Sequence, residues 1–304
     1  MSNKVMIVGT GNVGASIGFS LVSQRTAVNE LILTDLNMAD AEGEAMDLRD
    51  TLAVSPSFMK IRAGTYAAEA GDADIIVITA GASQKPGETR LDLLAKNADI
   101  FKDIIGQIMR TGFSGIFLVV SNPLDVMSYL AWRYSGLPEE QVIGSGTILD
   151  TARLRFRIAE RLGTSPKSIH AYQVGEHGDS EFALWSLANL GGQSLSRFLT
   201  KKEQTEIEDF VRNEAYTIIN KKGATYYGIG ACVTQIINCI LHDENRVLSI
   251  STYDDFTDCY YGFPTVLGRH GVVRRLDLEL TERENIKLQT SINTIKSAIK
   301  SVKD

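Results

Sequence analysis

The sequence lacks cysteine clusters, long apolar runs and concentrated basic charge. Its three cysteines, Cys232, Cys239 and Cys259, are odd in number and lack metal-ligand spacing, which argues against a disulfide framework or zinc site and favours buried thiols. Lysine and arginine are dispersed along a chain of net charge -6, so neither nucleic acid nor an anionic membrane is the expected main partner. No apolar run approaches the roughly 20 residues that span a bilayer, and no signal peptide precedes the first predicted strand. We therefore expect a cytoplasmic protein.

The sequence does contain enough apolar residues for a large core, without an internal repeat or a low-complexity linker. Its 304 residues, 44% of them hydrophobic, exceed the size at which one core usually divides. Apolar strands alternate with helical patterns in the first half, which indicates a parallel sheet covered on both faces. The pattern changes after QVIGSG, near Ser145. We predict an α/β protein with a doubly wound Rossmann domain over residues 1–144 and an α+β catalytic domain over residues 145–304.

The first predicted strand ends at a glycine-rich turn. In KVMIVGTGNVG, Gly9, Gly11 and Gly14 lie between a short β-branched run and a helical pattern, and Asp35 closes the next strand. The glycines let the backbone approach a pyrophosphate at the helix N-terminus, while the Asp35 carboxylate can accept hydrogen bonds from the adenosine ribose. Because a carboxylate there would repel a ribose phosphate, we predict an NAD site rather than an NADP site. The alternative is a purely structural turn.

Further candidate residues follow the later strands of the sheet. Ligands of parallel sheets bind beyond the carboxyl ends of the strands, where Gly81, Ala82, Ser121 and Asn122 are expected. The polar segment ASQKPGETR contains Arg90 and has the composition of a mobile loop over such a site. An ordinary surface connection would have the same composition.

Asp150, Arg153 and His177 are the candidate acid/base and anion-binding residues. A helix over ILDTARLR would place Asp150 and Arg153 on one face and Arg155 on another. A carboxylate near His177 could fix the imidazole tautomer and stabilise the imidazolium, leaving the other ring nitrogen to exchange a proton with substrate. The guanidinium of Arg153 can bind a carboxylate through two hydrogen bonds. Each feature alone is weak, since an Asp/Arg pair three residues apart is more often a solvated helix pair.

Helices dominate the rest of the second half. Two long helices are predicted over roughly 204–222 and 224–242, followed by turn-rich strands through YYGFPTVLGRHGVV. Thr281 and Glu284 have capping-box spacing ahead of an apolar stripe at helical intervals. We expect this stripe in the core or in a subunit contact.

The ordered motifs GTGNVG, ASQKPGETR, SNPLD, LDTAR, GEHGDSE and KGATYYG, together with Asp35, resemble the lactate/malate dehydrogenase family, and within it the bacterial L-lactate dehydrogenases. The resemblance covers nearly the whole chain, and GEHGDSE downstream of LDTAR is specific to that family. It implies a cytoplasmic oxidoreductase of glycolysis and fermentation that interconverts pyruvate and L-lactate with NAD. It also implies a homo-oligomer, either tetramer or dimer.

The resemblance implies a role for each motif residue. His177 would be the proton donor and acceptor, Asp150 its partner, and Arg153 the anchor of the substrate carboxylate. Arg90 would polarise the substrate carbonyl when its loop closes over the site. Asn122 would hydrogen-bond the substrate and orient the nicotinamide region.

Two further sets of residues are implied only by the resemblance. Gln84 occupies the family's specificity position, Thr225 lines the same side of the pocket, and Ile229 would pack on the nicotinamide. Because Gln84 is neutral, a second substrate carboxylate beside it would lack a counterion, which favours pyruvate over oxaloacetate. The complete implied cofactor set is Gly9, Gly11, Val13, Gly14, Asp35, Tyr66, Gly81, Ala82, Ser121, Asn122, Ser145 and Ile229.

Arg155 and His170 match the pair that binds fructose 1,6-bisphosphate between subunits of many bacterial relatives. The same residue types also occur in unregulated relatives, where they serve only the subunit contact, so allosteric activation stays open. Asp40 is a departure, because many relatives carry lysine there, and this puts in doubt an adenosine-side contact by this residue. The first predicted strand starts near Lys4, without the long N-terminal arm of animal relatives, so we expect an oligomer that does not depend on such an arm.

Three alternative functions remain open. Two are enzymes of the same family: a malate dehydrogenase, and an L-2-hydroxyacid dehydrogenase for bulkier side chains. The third is a nonenzymatic dinucleotide sensor, which would need the fold but not His177, Asp150, Arg153 and Arg90 together.

Overall fold

A nine-stranded sheet forms the centre of the part of the chain that this computed structural model describes, residues 3–82 and 90–303. Six of its strands come from the first half of the chain: β1 (Lys4–Val8), β2 (Glu30–Thr34), β3 (Lys60–Ala63), β4 (Ile75–Ile78), β5 (Ile116–Val119) and β6 (Val142–Gly144). The other three are β12 (Arg246–Asp254), β13 (Cys259–Gly268) and β14 (Gly271–Arg275). The strand order is β14-β13-β12-β6-β5-β4-β1-β2-β3. All pairings from β3 across to β6 are parallel, whereas those from β6 to β14 are antiparallel.

Helices cover both faces of this parallel part, as the alternation of apolar strands and helical patterns predicts. Successive residues of β1 enter different cores, since Met6 and Val8 pack into one hydrophobic cluster and Val5 and Ile7 into the other. A strand buried on both faces reads as a continuous apolar run, which KVMIV does. The helices of this half are α1 (Asn12–Ser23), α2 (Met38–Thr51), α3 (Tyr66–Glu69), α4 (Arg90–Met109) and α5 (Leu124–Ser135).

The second half contains helices and small antiparallel sheets, as predicted for an α+β unit. One small sheet is formed by β7 (Ile169–His170), β10 (Asn189–Leu190) and β11 (Gln193–Ser194), and another by β8 (Gln173–Val174) and β9 (Phe182–Ala183). The helices of the second half are α6 (Ile148–Leu162), α7 (Lys201–Lys222), α8 (Tyr227–Leu241) and α9 (Glu282–Lys303).

The last three strands, β12, β13 and β14, join the first sheet, a pairing that the sequence analysis did not predict. β12 pairs with β6 where Ser251 lies opposite Gly144, so the second half extends the Rossmann sheet. The domain boundary near Ser145 stays a prediction, because one sheet continues across it.

Helix α9 begins and packs as its sequence predicts. Thr281 and Glu284 form the capping box, with Thr281 N donating to Glu284 Oε2 at 2.9 Å and Glu284 N donating to Thr281 Oγ1 at 3.3 Å. Ile292, Ile295 and Ile299 are buried in a core shared with the sheet, so the apolar stripe belongs to the core. The three cysteines are free and buried. Within the described ranges, no helix combines the length and apolarity needed to cross a membrane.

Candidate active site

The turn between β1 and α1 requires glycine for steric reasons. Gly9 has a φ of +97°, and a Cβ there would lie 2.8 Å from the Ala80 backbone nitrogen. A Cβ on Gly14 would lie 1.9 Å from the Gly9 carbonyl oxygen, so only glycine lets the helix pack this closely on the turn. Gly11 faces open space, and no described side chain caps α1. The backbone N–H groups at the start of α1 are therefore placed to bind an anionic group such as phosphate.

The Asp35 carboxylate is fixed beside this turn. Its Oδ2 accepts hydrogen bonds from Thr10 N at 2.7 Å and Thr10 Oγ1 at 3.1 Å, while its Oδ1 accepts from Asn37 N at 3.3 Å. The next acid, Asp40, is exposed in the first turn of α2, where the helix dipole favours a negative charge. Asp35 is thus the carboxylate that the fold orients toward a ligand of the turn.

A cleft of about 770 Å³ extends from the glycine-rich turn along the ends of the strands. Burial, with the charges of Asp35 and Asp103, raises the pKa of Tyr66 to about 12, so its phenol stays protonated in the cleft. Six residues of the predicted cofactor set line the cleft, namely Gly9, Gly11, Asp35, Tyr66, Gly81 and Ala82.

The other predicted cofactor residues are not among the described residues that line this cleft. Ser121 and Ser145 are buried, where Ser121 Oγ donates to Ala80 O at 2.6 Å and Ser145 N donates to Val119 O at 2.9 Å. Both brace the strand ends. Val13 and Ile229 pack against the hydrophobic core on one side of the sheet.

Asn97 connects a residue of the cleft to the segment that follows β5, and the sequence analysis did not identify it. This α4 residue is 2% exposed, its Oδ1 accepts from Ala82 N at 2.8 Å, and its Nδ2 donates to Asn122 O at 3.2 Å. One amide side chain therefore fixes the segments that follow β4 and β5 relative to each other. A single asparagine inside a helical pattern carries no sequence signal for this role.

Asp150 and His177 form a close pair. Asp150 lies in the first turn of α6, and its Oδ2 is 2.7 Å from His177 Nδ1. Since the carboxylate occupies Nδ1, Nε2 is the ring nitrogen left for a substrate. The loop that carries His177 is held by Asp125, whose Oδ2 accepts from His177 N at 2.8 Å and whose Oδ1 accepts from Ser251 Oγ at 2.6 Å.

The charges of this pair stabilise each other. Burial alone would lower the pKa of His177, but the charge and hydrogen bond of Asp150 raise it to about 9. Burial likewise opposes ionisation of Asp150, yet His177 and Arg153 lower its pKa. The pair is therefore an imidazolium and a carboxylate at neutral pH.

Arg153 places a guanidinium beside the pair. Its Nη1 donates to Asp150 Oδ1 at 2.9 Å, and its side chain is only 9% exposed. Arg153, His177, Asp150 and Asn122 all line one cavity of about 640 Å³. His177, a proton donor, and Arg153, a cation that can bind a carboxylate, thus lie in the same cavity.

Glu181, the last residue of the GEHGDSE motif, is a buried acid beside the Asp150–His177 pair. The sequence analysis did not identify it as a site residue. It is 4% exposed, and Gln173 Nε2 donates to its Oε1 at 3.2 Å. Burial and the charge of Asp150 raise the pKa of Glu181 well above its usual value. Ligand-type atoms of Asp150, His177 and Glu181 lie within 4.8 Å of one another, a spacing that could hold a metal ion. We assign acid/base chemistry instead, since both Asp150 oxygens already bind His177 and Arg153.

Three predicted site residues lie outside the two cavities or outside the described part of the chain. Gln84 and the side chain of Arg90 lie outside the described residues. Thr225 lies between α7 and α8 and, among the described lining residues, belongs to neither cavity.

Arg155 contacts the segment after β7 rather than the cavity. Its Nε donates to Ala171 O at 2.9 Å, and its guanidinium lies 5.0 Å from the centroid of the Tyr172 ring. Burial lowers the pKa of Arg155, against the effect of Tyr172. His170 is exposed on β7. These contacts hold Arg155 against the segment that follows β7.

Comparisons with known proteins cover the whole of this architecture. Residues 3–144 match the family model for the lactate/malate dehydrogenase NAD binding domain, and residues 147–304 match that for the lactate/malate dehydrogenase alpha/beta C-terminal domain. The chain is 48% identical over 310 residues to L-lactate dehydrogenase 2 of Bacillus cereus (strain ZK / E33L), covering 99% of this chain and 98% of the relative. It is 46% identical to an L-lactate dehydrogenase of Halalkalibacterium halodurans, covering 97% and 96% of the two chains.

Solved structures of lactate dehydrogenases superpose on this chain over nearly its whole length. A lactate dehydrogenase from a Medee basin deep-sea metagenome library superposes with a TM-score of 0.97 at 45% identity, covering 100% of both chains. The minor L-lactate dehydrogenase from Enterococcus mundtii, in its ligands-bound form, superposes with a TM-score of 0.95 at 43% identity, covering 99% of this chain and 98% of that one.

Proposed function

This chain belongs to the lactate/malate dehydrogenase family, and we propose that it is an NAD-dependent L-lactate dehydrogenase that interconverts pyruvate and L-lactate. The observation that carries the proposal is the 2.7 Å contact between His177 Nδ1 and Asp150 Oδ2, in a cavity shared with Arg153. Asn97 links this cavity to the glycine-rich cleft, so a hydride carrier and an acid/base group would act on one substrate.

The cleft fits NAD on steric and electrostatic grounds. The close approach at Gly9 and Gly14 and the uncapped start of α1 suit a pyrophosphate, and the fixed Asp35 carboxylate suits a ribose diol. When bound, NAD supplies or accepts the hydride at the substrate carbon. Gly81 and Ala82 would line the nicotinamide end of the site, because they line the cleft after β4, where Ala82 N donates to Asn97 Oδ1.

The protein groups act on the substrate carboxylate and carbonyl. Arg153 binds the carboxylate of pyruvate, and Nε2 of His177 donates a proton to the carbonyl oxygen as negative charge develops there. Asp150 stabilises the imidazolium before this transfer and afterwards keeps the proton of the neutral imidazole on Nδ1. Asn122 hydrogen-bonds the substrate, and Arg90 polarises the carbonyl. In lactate oxidation the neutral imidazole takes the hydroxyl proton back.

Pyruvate is the proposed substrate because Gln84 offers no positive charge to a second carboxylate. NADH oxidation measured with pyruvate, oxaloacetate and 2-ketoisocaproate tests this directly. The highest kcat/KM is expected with pyruvate. A higher value with oxaloacetate would identify a malate dehydrogenase, and one with 2-ketoisocaproate would identify a 2-hydroxyacid dehydrogenase for bulkier side chains. NADH binding without turnover of any of the three would leave the dinucleotide sensor.

We further propose a cytoplasmic homo-oligomer, tetramer or dimer, whose affinity for pyruvate responds to fructose 1,6-bisphosphate bound at Arg155 and His170 across a twofold axis. The exposed position of His170 near Arg155 supports such a pair. Pyruvate saturation curves at dilute enzyme should shift to lower KM with millimolar effector. If the saturation curves with and without fructose 1,6-bisphosphate coincide, Arg155 and His170 do not bind an activating effector.

A further inference from the structure

Arg153 lies between two carboxylates. Its Nη1 donates a hydrogen bond to Asp150 Oδ1 at 2.9 Å, whereas its Nε lies 3.9 Å from Oε2 of Glu214 on α7. The second distance is too long for a hydrogen bond, so Glu214 acts on Arg153 through charge alone. The Glu214 side chain is 28% exposed, which leaves this attraction only partly screened.

Among the described cations, Arg153 is the main electrostatic partner of the Glu214 carboxylate. Arg157 is the other nearby cation, but it bonds Glu160 and lies 3.9 Å from the centroid of the Phe210 ring. Burial raises the pKa of Glu214, Arg153 and Arg157 oppose this rise, and Asp150 and Glu160 add to it.

We propose that Glu214 lowers the affinity of Arg153 for the substrate carboxylate, and so sets the KM for 2-oxo acids; this inference rests on the proposed function. An ionised Glu214 gives the Arg153 guanidinium a second neighbouring carboxylate in addition to Asp150. The positive charge that a substrate anion meets at Arg153 is therefore already partly offset.

Glu214 acts through Arg153 rather than by touching substrate. Its α7 neighbours Val211, Ala215 and Tyr216 line the cavity, while Glu214 is not among the described lining residues. Glu214 is therefore a positioning residue, because its carboxylate offsets the positive charge of the group that binds substrate.

The variant Glu214→Gln tests the proposal, because it removes the charge and keeps the size. We expect the KM for pyruvate to fall roughly three- to tenfold with kcat changed by less than about twofold, a magnitude typical of a half-buried ion pair. The matched control is Glu206→Gln, on the same helix, whose carboxylate lies 4.0 Å from Lys202 and whose side chain is 56% exposed. This control should leave KM unchanged. The gap between wild type and Glu214→Gln should shrink at high salt.

A gain in affinity is the outcome that structural damage would not produce. An unchanged KM, or a higher KM with a lower kcat, would overturn the proposal and make Glu214 a simple tether of Arg153. Calorimetric titration of oxamate, a pyruvate analogue, into each protein with NADH gives the same comparison without turnover. If wild type reduces none of the three 2-oxo acids but binds oxamate, the proposed function fails while this titration still decides the role of Glu214. Equal or absent oxamate binding by both proteins overturns the inference.

Discussion

The cleft and the cavity use the chain in opposite ways. The cleft is built on the backbone turn between β1 and α1, with close contacts at Gly9 and Gly14 and the oriented carboxylate of Asp35, and its lining also includes residues that follow β2 and β4 and residues of α4. The cavity depends on charged side chains gathered from distant elements, with Asp150 and His177 in contact across 27 positions. Damage to the cleft should therefore weaken cofactor binding, whereas damage to the cavity should slow catalysis and leave cofactor binding intact.

The largest expected effect comes from removing the proton donor of the cavity. His177→Asn should lower kcat for pyruvate reduction roughly 1000-fold, a typical loss for a general acid, while the Kd for NADH changes by less than about twofold. Steady-state kinetics and NADH fluorescence titration measure the two quantities. His242→Asn, at the exposed end of α8, is the control and should change neither. Retention of near-normal kcat by His177→Asn would show that another group carries the proton.

The cleft was more predictable than the cavity, because its pattern is local. A strand, a glycine-rich turn, a helix and an acid after the next strand occur in one continuous segment, and each residue type has a steric or electrostatic reason at its position. The parallel sheet followed from strands such as KVMIV, which are buried on both faces. The capping box at Thr281 and Glu284 was equally local.

Non-local contacts account for what could not be predicted. Nothing in the sequence of β12 indicates that Ser251 pairs opposite Gly144 and extends the first sheet. Asn97 and Glu214 are ordinary helical residues until α4 and α7 pack beside the site. For the catalytic trio, helical spacing brought Asp150 and Arg153 to one face, but only the fold brings His177 to Asp150.

A smaller effect should come from removing the charge that supports His177. Asp150→Asn should lower kcat/KM for pyruvate about 100-fold at neutral pH. Because Asp150 raises the pKa of His177 to about 9, wild-type pyruvate reduction should fall only as pH rises through that value. In the variant the fall should come at about pH 6.5 or below, the ordinary range of histidine. Profiles of kcat/KM against pH measure this shift, and Asp50→Asn on the exposed face of α2 is the control. Coincident profiles would mean that Asp150 does not set the protonation of His177.

The smallest effect is expected in the cleft, at Asp35. Asp35→Ser should weaken NADH binding about tenfold and narrow the gap to NADPH, because it removes both a ribose acceptor and a charge that repels a phosphate. The carboxylate also accepts from Thr10 N, so loss of turn geometry must be separated from loss of recognition. Asp35→Asn does this, since its amide oxygen can still accept from Thr10 while the charge is gone. Fluorescence titration with both nucleotides should give the same NADH-to-NADPH preference for the two variants. Steady-state kinetics with saturating NADH should give both variants a kcat close to that of wild type. Equal use of NADPH and NADH by the wild type would mean that Asp35 does not select the cofactor. The Asp35 carboxylate would then only stabilise the glycine-rich turn through Thr10.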